Sequence, residues 1–243
     1  MKERSLRRQP GIPIPAPSDV LTPVVVWLLV IALAWLALIA ALAHGDLLSW
    51  DEPLRARLRE WDSDWFAKLM RASTRLGSRS FIAVLTIPIA LAAWRRCRQL
   101  AVVLVAAFPV ALALEVILKA LVDRPRPPLA LGFGASFPSG HVLAATAFWG
   151  LLPPLTFLVT RSRRAWLMSV AIVTLILVSV GASRVYLGAH WPSDVVGAYL
   201  AGAVFLLSAE WVVRRRWRRF RCEACDLHPL VGSLPRPERP ERN

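Results

Sequence analysis

Long apolar runs dominate this chain, and short polar clusters separate them. A helix that crosses the hydrocarbon core of a bilayer needs about 20 mostly apolar residues. Residues 21–43, 100–122, 142–160, 165–187 and 195–213 offer runs of that kind. Residues 80–94, bounded by Arg79 and Arg95, are shorter and cross only if the flanking arginines snorkel to the interfaces. The pattern predicts an all-α polytopic membrane protein built as a bundle of six transmembrane helices. Between spans one and two, Trp50, Leu54, Leu58, Trp61, Trp65 and Leu69 recur at helical spacing among mixed charges. That periodicity predicts an interfacial amphipathic helix within residues 44–79, with tryptophan at headgroup depth. Its plain role is a packed surface helix, and its functional alternative is a lid or lipid-entry wall.

The ends read differently. Residues 1–19 are basic and carry Pro10, Pro13, Pro15 and Pro17, as a flexible tail does. Residues 20–213 form one membrane-embedded domain, and residues 214–243 form a second basic, Pro-rich tail with the composition of a disordered segment. A cleaved signal peptide is the alternative reading of the first run, because Arg7-Arg8 precede it and Ala41-Leu42-Ala43 resembles a cleavage site. Signal h-regions span roughly 7–15 residues, well short of this one, so an uncleaved anchor is expected.

The chain of 243 residues has a formal net charge of +14, which raises nucleic acid as a partner. Sorting the charges by loop argues against it. The N-terminal tail, residues 95–98, residues 161–164 and the C-terminal tail hold 19 of the 30 lysines and arginines. By the positive-inside rule these four segments face the cytoplasm, so the excess charge is a topology signal with some attraction to anionic headgroups. Both termini are then cytoplasmic, in a multi-pass protein of the cell membrane. Of the three cysteines, Cys222 and Cys225 lie with His228 in the C-terminal tail, and Cys97 lies in an Arg-rich loop on the same side. Incidental thiols are the expectation there, and a zinc site holding the tail to the membrane domain is the alternative.

Three polar clusters fall at the ends of the apolar runs. Lys119 through Arg126-Pro127 and Pro138-Ser139-Gly140-His141 share the loop between spans three and four. Ser183-Arg184 through His190 to Asp194 lies between spans five and six. Two crossings separate these loops, so they emerge on one face, and with the Arg-rich loops inside that face is extracytoplasmic. There the clusters can meet.

Pro192 suits the first turn of the last span, which places Asp194 where the helix dipole favours a carboxylate. A carboxylate in reach of His190 holds one ring nitrogen as N–H and leaves the other free to attack. The alternative is an interfacial histidine beside a helix-start aspartate. Pro138–His141 reads as the start of span four: Ser139 as N-cap, Gly140 allowing close approach of an anion, free N–H groups to bind it, and His141 placed to protonate a leaving oxygen. Simple capping with one surface histidine is the alternative. Lys119, Arg126 and Arg184 are either interface anchors or the cations around one phosphate. Arg124 reads as a spare cation behind the phosphate-binding groups, with Asp123 as a candidate partner. Glu115, one turn before Lys119, reads as its i,i+4 partner.

Together these clusters resemble the signature of the type 2 phosphatidic acid phosphatase superfamily, which includes the vanadium haloperoxidases. Its three parts, Lys-x6-Arg-Pro, Pro-Ser-Gly-His and Ser-Arg-x5-His-x3-Asp, are matched in order by residues 119–127, 138–141 and 183–194. The resemblance implies a nucleophilic His190 oriented by Asp194, with His141 protonating the leaving group. It implies phosphate binding by Lys119, Arg126, Ser139, Gly140 and Arg184, without a metal or other cofactor. The implied substrate is a lipid phosphate or pyrophosphate: undecaprenyl pyrophosphate, phosphatidylglycerophosphate or phosphatidic acid. A transporter with intramembrane charges is the reading from another class. It is disfavoured because transporter sites lie near the bilayer midplane and these charges gather at span ends. A haloperoxidase is a third reading, disfavoured by the six spans.

Overall fold

The computed structural model describes residues 17–43, 49–95, 98–128, 130, 134–160 and 162–216. Most of both tails, with Cys97, Cys222, Cys225 and His228, lies outside the described residues. Nine helices occur among those described: α1 Pro17–Ala43, α2 Asp51–Arg59, α3 Asp64–Arg75, α4 Arg79–Trp94, α5 Arg98–Val122, α6 Gly140–Trp149, α7 Leu152–Thr160, α8 Arg163–Tyr186 and α9 Pro192–Arg216. The protein is all-α and polytopic, as the apolar pattern predicts.

Four helices contain a stretch long and apolar enough to cross a membrane: Val24–Leu42, Ala101–Val122, Arg163–Tyr186 and Pro192–Val212. The pair α3 and α4, bent by 51° across a short break, makes a fifth when taken as one. This differs from the six uninterrupted spans of the sequence pattern in two places. The run 142–160 divides into α6 and α7 at Gly150-Leu151. Pro153 and Pro154 in the first turn of α7 have no N–H to continue the helical ladder from α6. The second place is α4, whose 16 residues extend only about 24 Å at 1.5 Å per residue. The amphipathic segment also divides. Helix α2 ends at Arg59, residues 61–63 are non-helical, and Ser63 caps α3 by accepting a hydrogen bond from Phe66 N at 3.3 Å. Where a single interfacial helix was expected, two short ones lie.

Helix α6 is the hub, packed against α5, α8 and α9. Val142, Leu143, Ala145 and Phe148 are fully buried on it, so apolar residues surround it as expected of a helix enclosed by others. Outward, α1 exposes Trp27, Leu33 and Leu36, α4 exposes Val84 and Leu91, and α8 exposes Met168 and Leu175. Apolar surface of that extent requires lipid around it. Helices α2 and α3 pack across α8, where Phe66 meets Tyr186 edge-on with ring centroids 5.1 Å apart.

Candidate active site

The loop from α5 to α6 is bound to the segment that joins α8 to α9. Ser139 N donates to Asp194 O at 3.2 Å and the Trp191 side chain donates from Nε1 to Pro125 O at 3.0 Å, while Ser136 N closes the first loop on itself through Arg124 O at 2.7 Å. These bonds bring the three polar clusters to one end of the helices, as the loop-parity argument requires.

His190 and Asp194 are both buried, with His190 Nδ1 3.6 Å from Asp194 Oδ2. Asp194 stands in the first turn of α9, which starts at Pro192 as predicted. The same carboxylate accepts from Trp191 N at 2.8 Å, from Ser136 Oγ, and through its other oxygen from Arg124 Nη1 at 2.7 Å. Nδ1 makes no hydrogen bond in this arrangement, its nearest acceptor being Asp194 Oδ2, and the Arg126 guanidinium faces Nε2 at 3.5 Å; those neighbours favour the ring proton on Nδ1 and the lone pair on Nε2. Burial lowers the His190 pKa, Arg184 and Arg126 add to the effect, and Asp194 opposes it. The ring is therefore held neutral near pH 7, the form that carries a free lone pair.

Arg126 is fixed by backbone carbonyls: Nη1 donates to Ala189 O at 2.8 Å, Nε to Gly134 O at 3.1 Å and Nη2 to Ala135 O at 3.3 Å. Arg184 donates from Nη1 to Thr74 Oγ1 at 2.9 Å, while its buried Nε has no hydrogen-bond partner. Ser139 stands at the N-cap of α6, but its hydroxyl does not cap the helix. It is buried without a partner as well. Buried polar atoms in native proteins are nearly always paired, so an unpaired hydroxyl at the N-terminus of α6 and an unpaired guanidinium N–H in the last turn of α8 fit an anion as their partner. His141 follows on the first turn of α6. The positive charges of Arg184 and Arg79 act on it, with Glu115 opposing them. A phosphate dianion beside it supplies the negative charge that favours the protonated imidazole.

Lys119 pairs with Glu115 at 2.7 Å, as its spacing predicts. The sequence reading missed the second partner: Arg79 Nη2 meets both Glu115 oxygens at 2.8 Å. Glu115 thus fixes two cations beside Gly140. Glu115→Gln is expected to weaken inorganic phosphate as an inhibitor by about threefold, the size of a loosened ion pair. An unchanged inhibition constant would show that Glu115 does not position these cations.

One sequence expectation needs correction. Arg124 supports the site from behind, as expected, but its partner is not Asp123. It is buried, with Nη2 donating to Asp51 Oδ2 at 2.7 Å and Nη1 to both Asp194 Oδ1 and Ser193 Oγ. Asp51, Ser136, Ser193 and Thr74 were not singled out from sequence. Each lies far along the chain from the group it touches, and no motif spacing points to it. Among the described residues no cluster of three or more metal-ligating side chains occurs.

Set against known proteins, residues 99–218 match the PAP2 superfamily. Phosphatidylglycerophosphatase B of Bacillus subtilis is 30% identical over 70% of this chain and 86% of its own length. An undecaprenyl-diphosphatase of Sulfolobus acidocaldarius is 31% identical over 45% of this chain and 53% of its own. The crystal structure of a transmembrane PAP2-type phosphatidylglycerolphosphate phosphatase from Bacillus subtilis superposes with a TM-score of 0.72 at 26% identity, covering 80% of this chain and 98% of that one. The chain belongs to the PAP2 superfamily. It is a multi-pass membrane lipid phosphatase of that family, a hydrolase.

Proposed function

We propose that the protein removes the terminal phosphate of a lipid phosphate or pyrophosphate at the extracytoplasmic face, through a phosphohistidine on His190. The observation that carries this reading is the convergence of His190 and Asp194 with Arg126, Arg184 and the unpaired Ser139 hydroxyl at the start of α6. His190 Nε2 attacks phosphorus as the bond to the lipid oxygen breaks, and His141 gives that oxygen its proton. Asp194 holds Nδ1–H and stabilises the ring as it becomes positive. Lys119, Arg126, Arg184, the Ser139 hydroxyl and the Gly140 N–H bind the phosphoryl oxygens, where charge grows in the transition state. Water, deprotonated by His141, then breaks the N–P bond and releases inorganic phosphate with neutral His190. The cations supply the charge stabilisation for which other phosphatases use a metal.

Six crossings follow when α6 and α7 in series are taken as one and the α3–α4 pair as another. The Arg-rich segments then lie inside, the site lies outside, and α2 with the entry to α3 lies at the outer interface, where Trp61 and Trp65 are exposed. The relatives' names favour phosphatidylglycerophosphate and undecaprenyl pyrophosphate, with phosphatidic acid as the simplest member of the same chemical class.

Phosphate release from these three lipids by purified protein in EDTA is the test. Release that persists in EDTA is expected, and the preferred lipid identifies the substrate. No release from any of them by folded protein, or release abolished by EDTA and restored by a divalent cation, would overturn the reading.

A further inference from the structure

Asp51 is the first residue of α2, remote in sequence from the catalytic motifs, and it is completely buried. Its carboxylate accepts from Arg124 Nη2 at 2.7 Å, Ser193 N at 2.8 Å and Ser193 Oγ at 2.7 Å. One guanidinium therefore bridges two buried carboxylates, Asp51 and Asp194. Burying a carboxylate is costly unless it is paired and fully hydrogen-bonded. A pair whose only task was to attach α2 would not need the carboxylate that faces His190 to share its arginine.

We propose that Asp51 is a positioning residue for the reaction, acting through Arg124 so that Asp194 keeps its charge directed at His190. The inference rests on His190 as the nucleophile. Arg124 alone would neutralise Asp194. With Asp51 drawing on the same guanidinium, the Asp51–Arg124–Asp194 cluster keeps one net negative charge. That charge stabilises the imidazolium-like ring that forms when Nε2 bonds to phosphorus. Trp191 completes the arrangement. Its ring lies beneath the guanidinium groups of Arg55 and Arg124, at 5.5 and 5.8 Å, and its backbone N–H donates to Asp194 Oδ2. The entry of α2 is thus keyed to the start of α9.

The charged and titratable groups around His190 are Asp194 on α9, Arg124 and Arg126 on the α5–α6 loop, Arg184 on α8 and His141 on α6. Asp51 and Arg55 lie behind them on α2, and Glu115, Lys119 and Arg79 lie beyond His141. Among these, Asp51 and Arg124 can be changed without altering a group proposed to touch phosphate. Asp51→Asn takes the cluster from one net negative charge to none. It disfavours protonated His190, so the acid limb of kcat/KM moves down by about one pH unit. A weaker pull on the ring in the transition state lowers kcat about tenfold, while KM stays within about twofold. The double variant Asp51→Asn with Arg124→Gln restores the single negative charge, and its acid limb returns toward the wild-type position. Asp51→Glu retains the charge and keeps the wild-type limb.

The experiment is the pH profile of phosphate release by wild type and these three variants, each checked for folding by thermal unfolding in detergent. An Asp51→Asn limb that stays at the wild-type pH, with only thermal stability changed, would reduce Asp51 to a structural anchor and overturn the proposal. If Asp51→Asn does not fold, the proposal is decided by the other two variants: a limb displaced in either one overturns it. Wild type that releases no phosphate would instead fail the functional reading itself.

Discussion

His190→Ala is expected to abolish phosphate release from lipid substrate, by about four orders of magnitude or more if the residue is the nucleophile. The expectation is that large because the alternative attacker, water, has no base placed for it on the Asp194 side. Asp194 is occupied by Arg124, Ser136 and the Trp191 N–H, and the space at Nε2 is bounded by the Arg126 guanidinium. His141→Ala should differ in kind. A general acid contributes roughly 10²–10⁴-fold, and its loss is felt most when the leaving oxygen is a poor one. With p-nitrophenyl phosphate, whose leaving group departs without protonation, His141→Ala should lose far less of its first step than with a lipid phosphate. It should still form the phosphoenzyme. Alkaline quench of labelled enzyme reads this directly, since an N–P bond survives base and hydrolyses in acid. Label retained on His190→Ala, or lost equally from both variants with p-nitrophenyl phosphate, would remove the assigned roles.

Much of this architecture is legible in the chain because bilayer physics acts on long windows. The apolar runs 21–43, 100–122, 165–187 and 195–213 appear as α1, α5, α8 and α9 with ends displaced by a few residues. The division of 142–160 was present in the sequence as Gly150 followed by Pro153-Pro154, a local signal inside a run whose average hydrophobicity hid it. The Asp62-Ser63 cap hid in the same way within the amphipathic pattern. The site was legible where its chemistry needs fixed spacing. His190 and Asp194 must be four apart to face one another across the start of a helix, and Glu115 and Lys119 must be one turn apart. What was not legible depends on tertiary approach. Asp51 meets Arg124, Arg79 meets Glu115 and Thr74 meets Arg184 across large separations. In each case the residue type is ordinary for an interface, so composition gives no sign of its burial or partner.

Gly140 shows how such an approach becomes chemistry. A Cβ built there would lie 2.2 Å from Glu115 Oε1, 2.3 Å from Cδ and 2.4 Å from Oε2. The backbone of α6 has nowhere to retreat, because Val142, Leu143 and Ala145 behind it are fully buried and Ser139 N is bonded to Asp194 O. The carboxylate must therefore yield by about 1 Å to regain ordinary contact, the kind of forced shift that costs 1–3 kcal/mol in a packed interior. Glu115 cannot move alone, since Arg79 and Lys119 hold it at 2.8 and 2.7 Å. Gly140→Ala is accordingly expected to raise KM for lipid phosphate, and the inhibition constant for inorganic phosphate, by about 100-fold. Misplacing binding groups by an ångström has an effect of that order. The route of the effect is separable. If the methyl acts by displacing Glu115, then Gly140→Ala in a Glu115→Ala background, where the space is vacated, should add little to the defect of Glu115→Ala alone. If the two defects multiply instead, the methyl acts by blocking the anion at the Gly140 N–H. Inhibition constants for phosphate across the wild type, both single variants and the double variant decide between the two.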